Sequence, residues 1–402
     1  MSLRDSSGVG RFWTARRALL AGSAAVIIVA GTSAALAAGH PAAQHQATSG
    51  VKGVKSARLT SASCSGPTGA AYIATAGYQA FDAINTANCA YIQNYNVGDP
   101  GVMGGPGDYN YSSEDEAVAI HGDTLYFADT GNDLVSIINA ATLNPSNYNP
   151  PETTIHVGFE PGDLAVSPDG SQLWVTDMGP QTGPGSPADI DVISLATDTV
   201  TAVLPLPSAP VQIAFSPSGA AAYVTTADGL WAFDTASLVP IGIIYGLGDP
   251  HGVAVSPDGS TIYVTDTNHN VVDVINAEAI QVTGTIPVGQ LPWQLAVSSN
   301  GGTVYVANPD SDTISVISTK TDKVTSTISL AGGPDTLALT PDGSELWVCG
   351  ITSAVVTVFK TSNDGFVGDL NLGGYGPNSG DGTGPTGIVL TSTAPVTGQY
   401  GG

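Results

Sequence analysis

Positive charge is scarce in this 402-residue chain. It carries 10 Lys and Arg residues against 34 Asp and Glu residues, a formal net charge of −24. Within the repeated part, only Lys320, Lys323 and Lys360 are basic. Nucleic acids and anionic membrane faces are bound by basic side chains that replace counterions, so neither is expected as a partner. The acidity favours solubility outside the cell, with attraction of cations as the alternative.

Cysteine is also rare, with only Cys64, Cys89 and Cys349. No CxxC motif or Cys/His cluster is present, so structural zinc is not expected. Three cysteines in an exported chain indicate one pair and one remaining residue. We expect a disulfide between Cys64 and Cys89. Cys349 falls at a strand position and is expected to be a small buried residue rather than a reactive thiol.

The usual catalytic and metal-binding motifs are missing as well. The chain has no HxH, HExxH, GxSxG or CxxCH pattern, which argues against copper, haem and seryl-hydrolase chemistry. Oxygen-rich turns recur, as at Asp177 and at Asp266, but none has EF-hand spacing. Because Asp and Asn are ordinary turn residues, we expect no cofactor, with Ca²⁺ as the alternative. A non-enzyme is favoured over an enzyme.

A repeated unit is what the chain does have. Residues 251–289 contain four short segments, 252–256, 261–265, 271–276 and 281–288, with turn residues between them. The first turn is Ser256-Pro257-Asp258-Gly259, in which proline fixes φ and glycine accepts a positive φ. β-Branched residues at alternate positions within the segments predict a four-stranded antiparallel sheet.

This unit recurs along the chain at steps of 40 to 54 residues. Each copy is marked by an aromatic residue that starts a strand-like tetrad: Tyr72, Tyr126, Trp174, Tyr223, Tyr263, Tyr305 and Trp347. Four strands every 40–50 residues are typical of β-propeller blades. The sequence therefore predicts an all-β, seven-bladed β-propeller of four-stranded antiparallel blades.

At these tetrads the chain resembles the YVTN-repeat family of bacterial seven-bladed propellers, some of which carry a surface-layer label. The stretch YVANPDSDTISVISTKTDKV, at residues 305–324, is especially similar to that family's repeat. The resemblance covers residues 70–393. It implies the fold strongly and an activity only weakly.

The first blade is predicted to be composite. Residues 70–75, 78–84 and 90–97 supply three strands with no preceding first strand. Residues 386–391 match the missing strand and have no unit after them. We expect the C-terminal strand to join the N-terminal blade, which closes the ring and leaves no free sheet edge between blades.

The amino-terminal segment is predicted to be an export signal at residues 1–37. Arg16, Arg17 and two earlier arginines precede an apolar run, and Ala35-Leu36-Ala37 resembles a cleavage site. A twin-arginine signal and an uncleaved signal anchor are alternatives. Residues 38–66 are expected to be a disordered spacer, 67–395 the propeller and 396–402 a flexible tail. The protein is thus expected outside the cell or at its surface.

The candidate site lies where the innermost strands begin. Long connectors at residues 98–116, 178–189 and 373–385 are expected on that same face, and extra loop length there is typical of a binding surface. The residues at the strand starts are Glu116, Asp163, Gln212, His251, Trp293, Gln294 and Asp335. They could hold a cation or a sugar-like ligand at the channel mouth, or only cap strand ends.

Three functions remain open from the sequence. The first is an exported binding or scaffold module that uses the long-loop face, with a protein or glycan partner. The second is a metal-assisted lyase or lactonase, with His251 as general base and Asp163 or Glu116 as a metal ligand. The third is a structural protein of the cell envelope. We expect a monomer with no membrane contact beyond the amino-terminal segment.

Overall fold

The computed structural model describes residues 69–75, 80–87, 90–96, 117–144, 150, 152–179, 188–350, 355–372 and 385–391. The predicted export signal, spacer, flexible tail, Cys64–Cys89 pair and Glu116 lie outside these residues. So do most residues of the three long connectors. The predictions made for them remain predictions.

The described strands form seven four-stranded sheets. We number the strands β1 to β28 in chain order and the sheets as blades 1 to 7. The innermost strands are β28 (Pro385–Thr391), β4 (Val118–His121), β8 (Pro161–Val166), β12 (Pro210–Phe215), β16 (Pro250–Val255), β20 (Leu295–Val297) and β24 (Pro334–Leu339). The second strands are β1 (Ala70–Thr75), β5 (Thr124–Asp129), β9 (Gln172–Asp177), β13 (Ala221–Thr226), β17 (Thr261–Asp266), β21 (Thr303–Asn308) and β25 (Glu345–Gly350).

The outer half of each blade contains a third and a fourth strand, again antiparallel to their neighbours. The third strands are β2 (Ala80–Asn85), β6 (Leu134–Asn139), β10 (Asp189–Ser194), β14 (Gly229–Asp234), β18 (Val271–Asn276), β22 (Thr313–Ser318) and β26 (Val355–Lys360). The fourth strands are β3 (Ala90–Asn96), β7 (Glu152–His156), β11 (Thr199–Pro205), β15 (Val239–Tyr245), β19 (Gln281–Pro287), β23 (Lys323–Ser329) and β27 (Gly365–Asn371).

The ring closes as the sequence predicts. In blade 1, β28 pairs antiparallel with β1, and Ile388 lies opposite Ile73. The innermost strands contact one another in a closed circle, β28 to β4, β8, β12, β16, β20, β24 and back to β28. The seven-bladed, all-β fold with a composite first blade is confirmed.

The buried side chains explain why one aromatic residue marks each blade. They form seven apolar clusters, each between two adjacent blades. Each cluster contains one of the repeated aromatics; Trp174 of blade 3, for example, packs against Ile213 and Phe233 of blade 4. All seven aromatics are at most 5% exposed. Burial of these large side chains at blade interfaces stabilises the ring.

Two local features also agree with the sequence. Gly259 in the first turn of blade 5 has φ 74° and donates its N–H to the Ser256 carbonyl, so this turn requires a positive φ. Cys349 is fully buried, and burial, with the charge of Asp335, raises the pKa of its thiol. The expectation of a buried rather than reactive cysteine is confirmed.

Strand limits differ from the sequence expectation by one or two residues. β16 begins at Pro250 rather than residue 252, whereas β20 is shorter than its counterparts and begins only at Leu295. The segment before β20 bonds to two blades: Trp293 N–H donates to the Ala307 carbonyl within blade 6, and the Trp293 carbonyl accepts from Gly252 of blade 5. This sharing of bonds interrupts the regular ladder.

The helices among the described residues are two 3₁₀ turns, Ala140–Thr142 and Pro309–Ser311. No helix in this part of the chain has the length and apolar character needed to cross a bilayer.

Candidate functional site

The predicted mouth residues occupy two different strand positions. Asp163 and Gln212 are the third residues of β8 and β12, whereas His251 and Asp335 are the second residues of β16 and β24. Each of these four inner strands has a register irregularity at these residues, between 161 and 164, 210 and 213, 250 and 253, and 334 and 336, so regular alternation of side chains does not apply there. A shared ligand-binding ring at the channel mouth remains a prediction.

The third-position side chains connect neighbouring blades. One carboxylate oxygen of Asp163 accepts the N–H of Ile213, 2.8 Å away in blade 4. The amide oxygen of Gln212 accepts the N–H of Val253, also at 2.8 Å, in blade 5. A buried backbone N–H without an acceptor is costly, so these side chains stabilise the ring from its inner strands. A ligand contact of Asp163 or Gln212 remains a prediction.

Threonines of the second strands reinforce the same inner belt. Thr225 donates its hydroxyl to the His251 carbonyl at 2.6 Å, and Thr265 donates to the Trp293 carbonyl at 2.7 Å. Each hydroxyl also accepts a backbone N–H from the first strand of its own blade; for Thr265 the donor is Gly252, at 2.6 Å. Each hydroxyl therefore joins two blades.

His251 also forms an aromatic pair with Trp293, which lies just before β20. The rings of His251 and Trp293 have centroids 3.4 Å apart and an interplanar angle of 30°. Trp293 is 8% exposed and Asp335 4% exposed, whereas His251 is partly exposed and Gln294 is half-buried. His251 is therefore the more accessible member of the pair and covers the indole. Its role as a general base remains a prediction.

Asp163 has an unusual proton affinity for a carboxyl group. Burial raises its pKa to about 7, while hydrogen bonds from the backbone of Ile213 and Leu164 act in the opposite direction. Because Asp163 remains partly accessible along the inner strands, some water screens this effect. A group that titrates near neutrality is suited to general acid–base work. Among the described residues, no cluster of three or more potential metal ligands includes Asp163 or His251.

A second group of polar residues, which the sequence analysis did not assemble, lies in blade 3. Asp177 was interpreted there only as a turn residue, but the structure brings it together with Asp189 and Asp191. Their pairing depends on strand register, because Asp177 lies directly opposite Asp189 across β9 and β10. A signal was present in the sequence: β10 carries Asp at its first and third positions, where β18 has Val271 and Asp273 and β22 has Thr313 and Ser315.

The three carboxyls of blade 3 resist full ionisation. Burial, followed by the charges of Asp191 and Asp189, raises the pKa of Asp177 to about 9. Burial also raises the pKa of Asp191, to about 6, and that of Asp189. Three carboxylates held together out of water cannot all ionise without a compensating charge.

Comparison with known proteins supports the fold. The family described as "Lactonase, 7-bladed beta-propeller" matches residues 163–332, which include four of the seven blades. The seven-bladed beta-propeller protein Rv1057 of Mycobacterium tuberculosis is 30% identical over 135 residues, which is 33% of this chain and 33% of that protein. The match thus spans about a third of the length of this relative.

Solved structures show the same architecture at low sequence identity. A functionally unknown protein from Desulfotomaculum acetoxidans has a TM-score of 0.64 and 16% identity, over 80% of this chain and 98% of that one. Hydrazine synthase of Kuenenia stuttgartiensis has a TM-score of 0.58 and 18% identity, over 71% and 90% of the respective chains. Likeness at this identity establishes a seven-bladed propeller fold and leaves activity to be argued from the site.

Proposed function

We propose that this protein is an exported binding module that captures an extended, apolar segment of a partner protein along the outer edge of blade 4. The carrying observation is the composition of β15. Val239, Ile241 and Tyr245 are 54%, 55% and 63% exposed. β15 pairs with β14 on one side and is the last strand of its sheet. Its other edge can therefore accept a further strand.

Comparison with the sibling strands supports this role. Thr201, Thr283 and Thr325 occupy the same bulge position in β11, β19 and β23, and each donates its hydroxyl to a carbonyl of the adjacent third strand. In blade 4, the bulge residue is Ile241. The isoleucine gives up that hydrogen bond and exposes an apolar side chain to water. Val367 of blade 7 is also apolar but is partly buried.

The charge of the chain indicates what kind of partner is favoured. At a net charge of −24, two copies repel each other, which opposes pairing of β15 with a second copy. A neutral or cationic partner segment meets no such repulsion. The sequence analysis expects the long-loop face to be the binding surface, and in this proposal that face would contact the same partner.

The test uses extended peptides selected from a display library against the full chain. We expect the selected peptides to lose at least about 10-fold in affinity for the Ile241→Thr variant. The variant restores the sibling residue, so its melting temperature should be equal or higher. Thr283→Val in blade 5 is the matched control and should leave affinity unchanged. Equal affinity of the peptides for the wild type and for Ile241→Thr would contradict the proposal. Self-association of the wild-type chain that Ile241→Thr abolishes would also contradict it, because the edge would then bind a second copy.

A second candidate, lactone hydrolysis at the channel mouth, is favoured by the lactonase-family match. That match includes Asp163, Gln212, His251, Trp293 and Gln294. In this function His251, which is partly exposed, would act as the general base. Hydrolysis of a panel of sugar lactones by the full chain, lost in His251→Ala, is the expected result; equal rates in both proteins would eliminate His251 as the base.

A further inference from the structure

The three aspartates of blade 3 form a closed group at a blade interface. Each offers a carboxylate oxygen, and the three oxygens lie within 4.8 Å of one another. Asp177, Asp189 and Asp191 are 0%, 6% and 4% exposed. Val175 and Ile193, which flank them on the same strands, pack against blade 2. The carboxyls therefore face the boundary between blades 2 and 3.

Asp177 provides an observation that is separate from this proximity. Neither of its carboxylate oxygens makes a hydrogen bond of good geometry with a group in the described part of the chain, although the Asp191 backbone and the Asp189 carboxyl lie close enough to influence its pKa. The N–H of Gly158, in the connector from blade 2, donates at 2.8 Å to Asp191. Gly158 nevertheless closes the group from one side, because a Cβ on it would lie 2.6 Å from the Asp177 carboxyl carbon. A fully buried carboxyl is thus aimed into the group without a well-formed hydrogen bond of its own.

Lysine and arginine are absent from the stretch of sequence that contains the group. Residues 59–319 contain neither lysine nor arginine. The three Lys residues of the repeated part belong to blades 6 and 7. In blade 5 the imidazole of His269 lies 2.8 Å from Asp266, whereas in blade 3 the group around Asp177 consists of carboxyls alone. The negative charge of blade 3 must therefore be neutralised by protons or by a bound cation.

We propose that Asp177, Asp189 and Asp191 bind a hard divalent cation of the Ca²⁺ type between blades 2 and 3. Carboxylate oxygens are the preferred ligands of such ions, and oxygens at about 2.3–2.6 Å from a shared Ca²⁺ can be up to about 5 Å apart. The bound ion supplies Asp177 with its missing partner. It also joins β9 and β10 to the connector that leads from blade 2.

The test is titration of the full chain with CaCl₂ after dialysis against a chelator, in about 0.15 M NaCl to screen surface charge. We expect one calorimetric site per chain. At a hundredfold excess over the dissociation constant, the melting temperature should rise by about 3–6 °C. Asp177→Asn and Asp191→Asn should each weaken binding by at least about 10-fold, a loss that even outer-shell changes can cause.

Two features keep a structural effect distinct from a binding effect. Asp273→Asn changes the residue of β18 that corresponds to Asp191 and should leave Ca²⁺ affinity unchanged. Without Ca²⁺, Asp177→Asn should melt no lower than the wild type, because a neutral amide replaces a buried carboxyl whose ionised form burial and two neighbouring carboxyls already disfavour. Should Asp177→Asn fail to fold, Asp191→Asn alone decides. The proposal would be overturned if CaCl₂ produced neither a heat of binding nor a change in melting temperature, and protons would then be the neutralising species. It would also be overturned if Asp177→Asn and Asp191→Asn both bound Ca²⁺ with wild-type affinity.

Discussion

Blades 3 and 5 are built on one template and handle the same buried carboxylate in opposite ways. Asp177 and Asp266 are the final residues of β9 and β17. The Asp266 carboxylate accepts hydrogen bonds from the backbone N–H groups of Gly248, at 2.7 Å, and His269, at 3.0 Å. Its other contact is with the imidazole Nδ1 of His269, at 2.8 Å. Asp177 makes no well-formed hydrogen bond with a described group and lies beside two other carboxyls, Asp189 and Asp191. The carboxylate of blade 5 is satisfied by the chain itself, whereas that of blade 3 is not.

The inner strands of the two blades differ as well. In blade 3, Asp163 reaches across to the backbone of blade 4 with its side chain. In blade 5, the corresponding residue is Gly252, whose own N–H donates to the Trp293 carbonyl at 3.1 Å. Repeats of one ring can thus use either a side chain or the backbone for the hydrogen bond between neighbouring blades. The contact between blades 3 and 4 therefore includes a titratable side chain, that of Asp163. The contact between blades 5 and 6 is made by backbone atoms of Gly252 and Trp293.

The largest expected effect comes from breaking the backbone contact of blade 5. A Cβ on Gly252 would lie 2.5 Å from the Trp293 carbonyl oxygen and 3.2 Å from the Gln294 Cα, which are backbone atoms that cannot rotate away. We expect Gly252→Ala to lower the free energy of unfolding by about 2–4 kcal/mol, measured by thermal or denaturant unfolding. The near-ultraviolet circular dichroism should also change as the His251–Trp293 pair is displaced.

The control for this variant is Gly284→Ala in β19. A Cβ there would meet no atom within 4 Å. We expect a change within about 0.5 kcal/mol. If the two variants had equal effects, the close approach of blades 5 and 6 at Gly252 would not be a rigid contact.

The second prediction is a pair of substitutions with opposite signs. In the cation-free protein at pH 7, Asp266→Asn replaces an acceptor of three bonds by a neutral amide, and stability should fall by about 1–3 kcal/mol. Burial and two neighbouring carboxyls raise the pKa of Asp177 to about 9, so at this pH Asp177→Asn exchanges one neutral group for another, and stability should stay unchanged or rise by about 1 kcal/mol. Melting temperatures in chelator measure both. Exposed Asp310→Asn serves as the reference, and a loss of stability in both blades would contradict the contrast drawn between them.

Much of the fold could be predicted because its signal repeats. The aromatic at the third position of each second strand, such as Tyr263, fills one blade interface, so burial imposes the same residue type in every blade. The composite first blade could be predicted because the N-terminal unit has only three strand-like segments and a fourth matching segment stands alone at residues 386–391. Strand limits were less certain because one residue, Trp293, bonds to two blades at once.

The candidate sites were harder to predict because they depend on strand register. A register irregularity at the start of the inner strands breaks the regular alternation of side chains, so the faces of Asp163 and His251 do not follow from their positions in the sequence. Asp177 and Asp189 are 12 positions apart, counting from residue numbers, and meet only through antiparallel register. Contacts of this kind depend on how two strands pair, and a short sequence motif does not contain that information.

The smallest expected effect is a dependence of stability on pH at the inner strand of blade 3. The pKa of Asp163 is raised to about 7, above its usual value of 3.8. Its contribution therefore favours the folded state fully below about pH 4 and is lost as the pH rises through about 7. Relative to Asp163→Asn, which keeps an acceptor for Ile213, the wild type should lose about 1 kcal/mol between pH 5 and 8.5, less than the pKa difference alone implies because water screens the carboxyl. Blade 4 provides the converse, since Gln212→Glu should acquire the pH dependence that Asp163→Asn loses. Calorimetric melting temperatures across this range decide the matter, and parallel curves for wild type and Asp163→Asn would show that Asp163 ionises in the folded ring as it does in water.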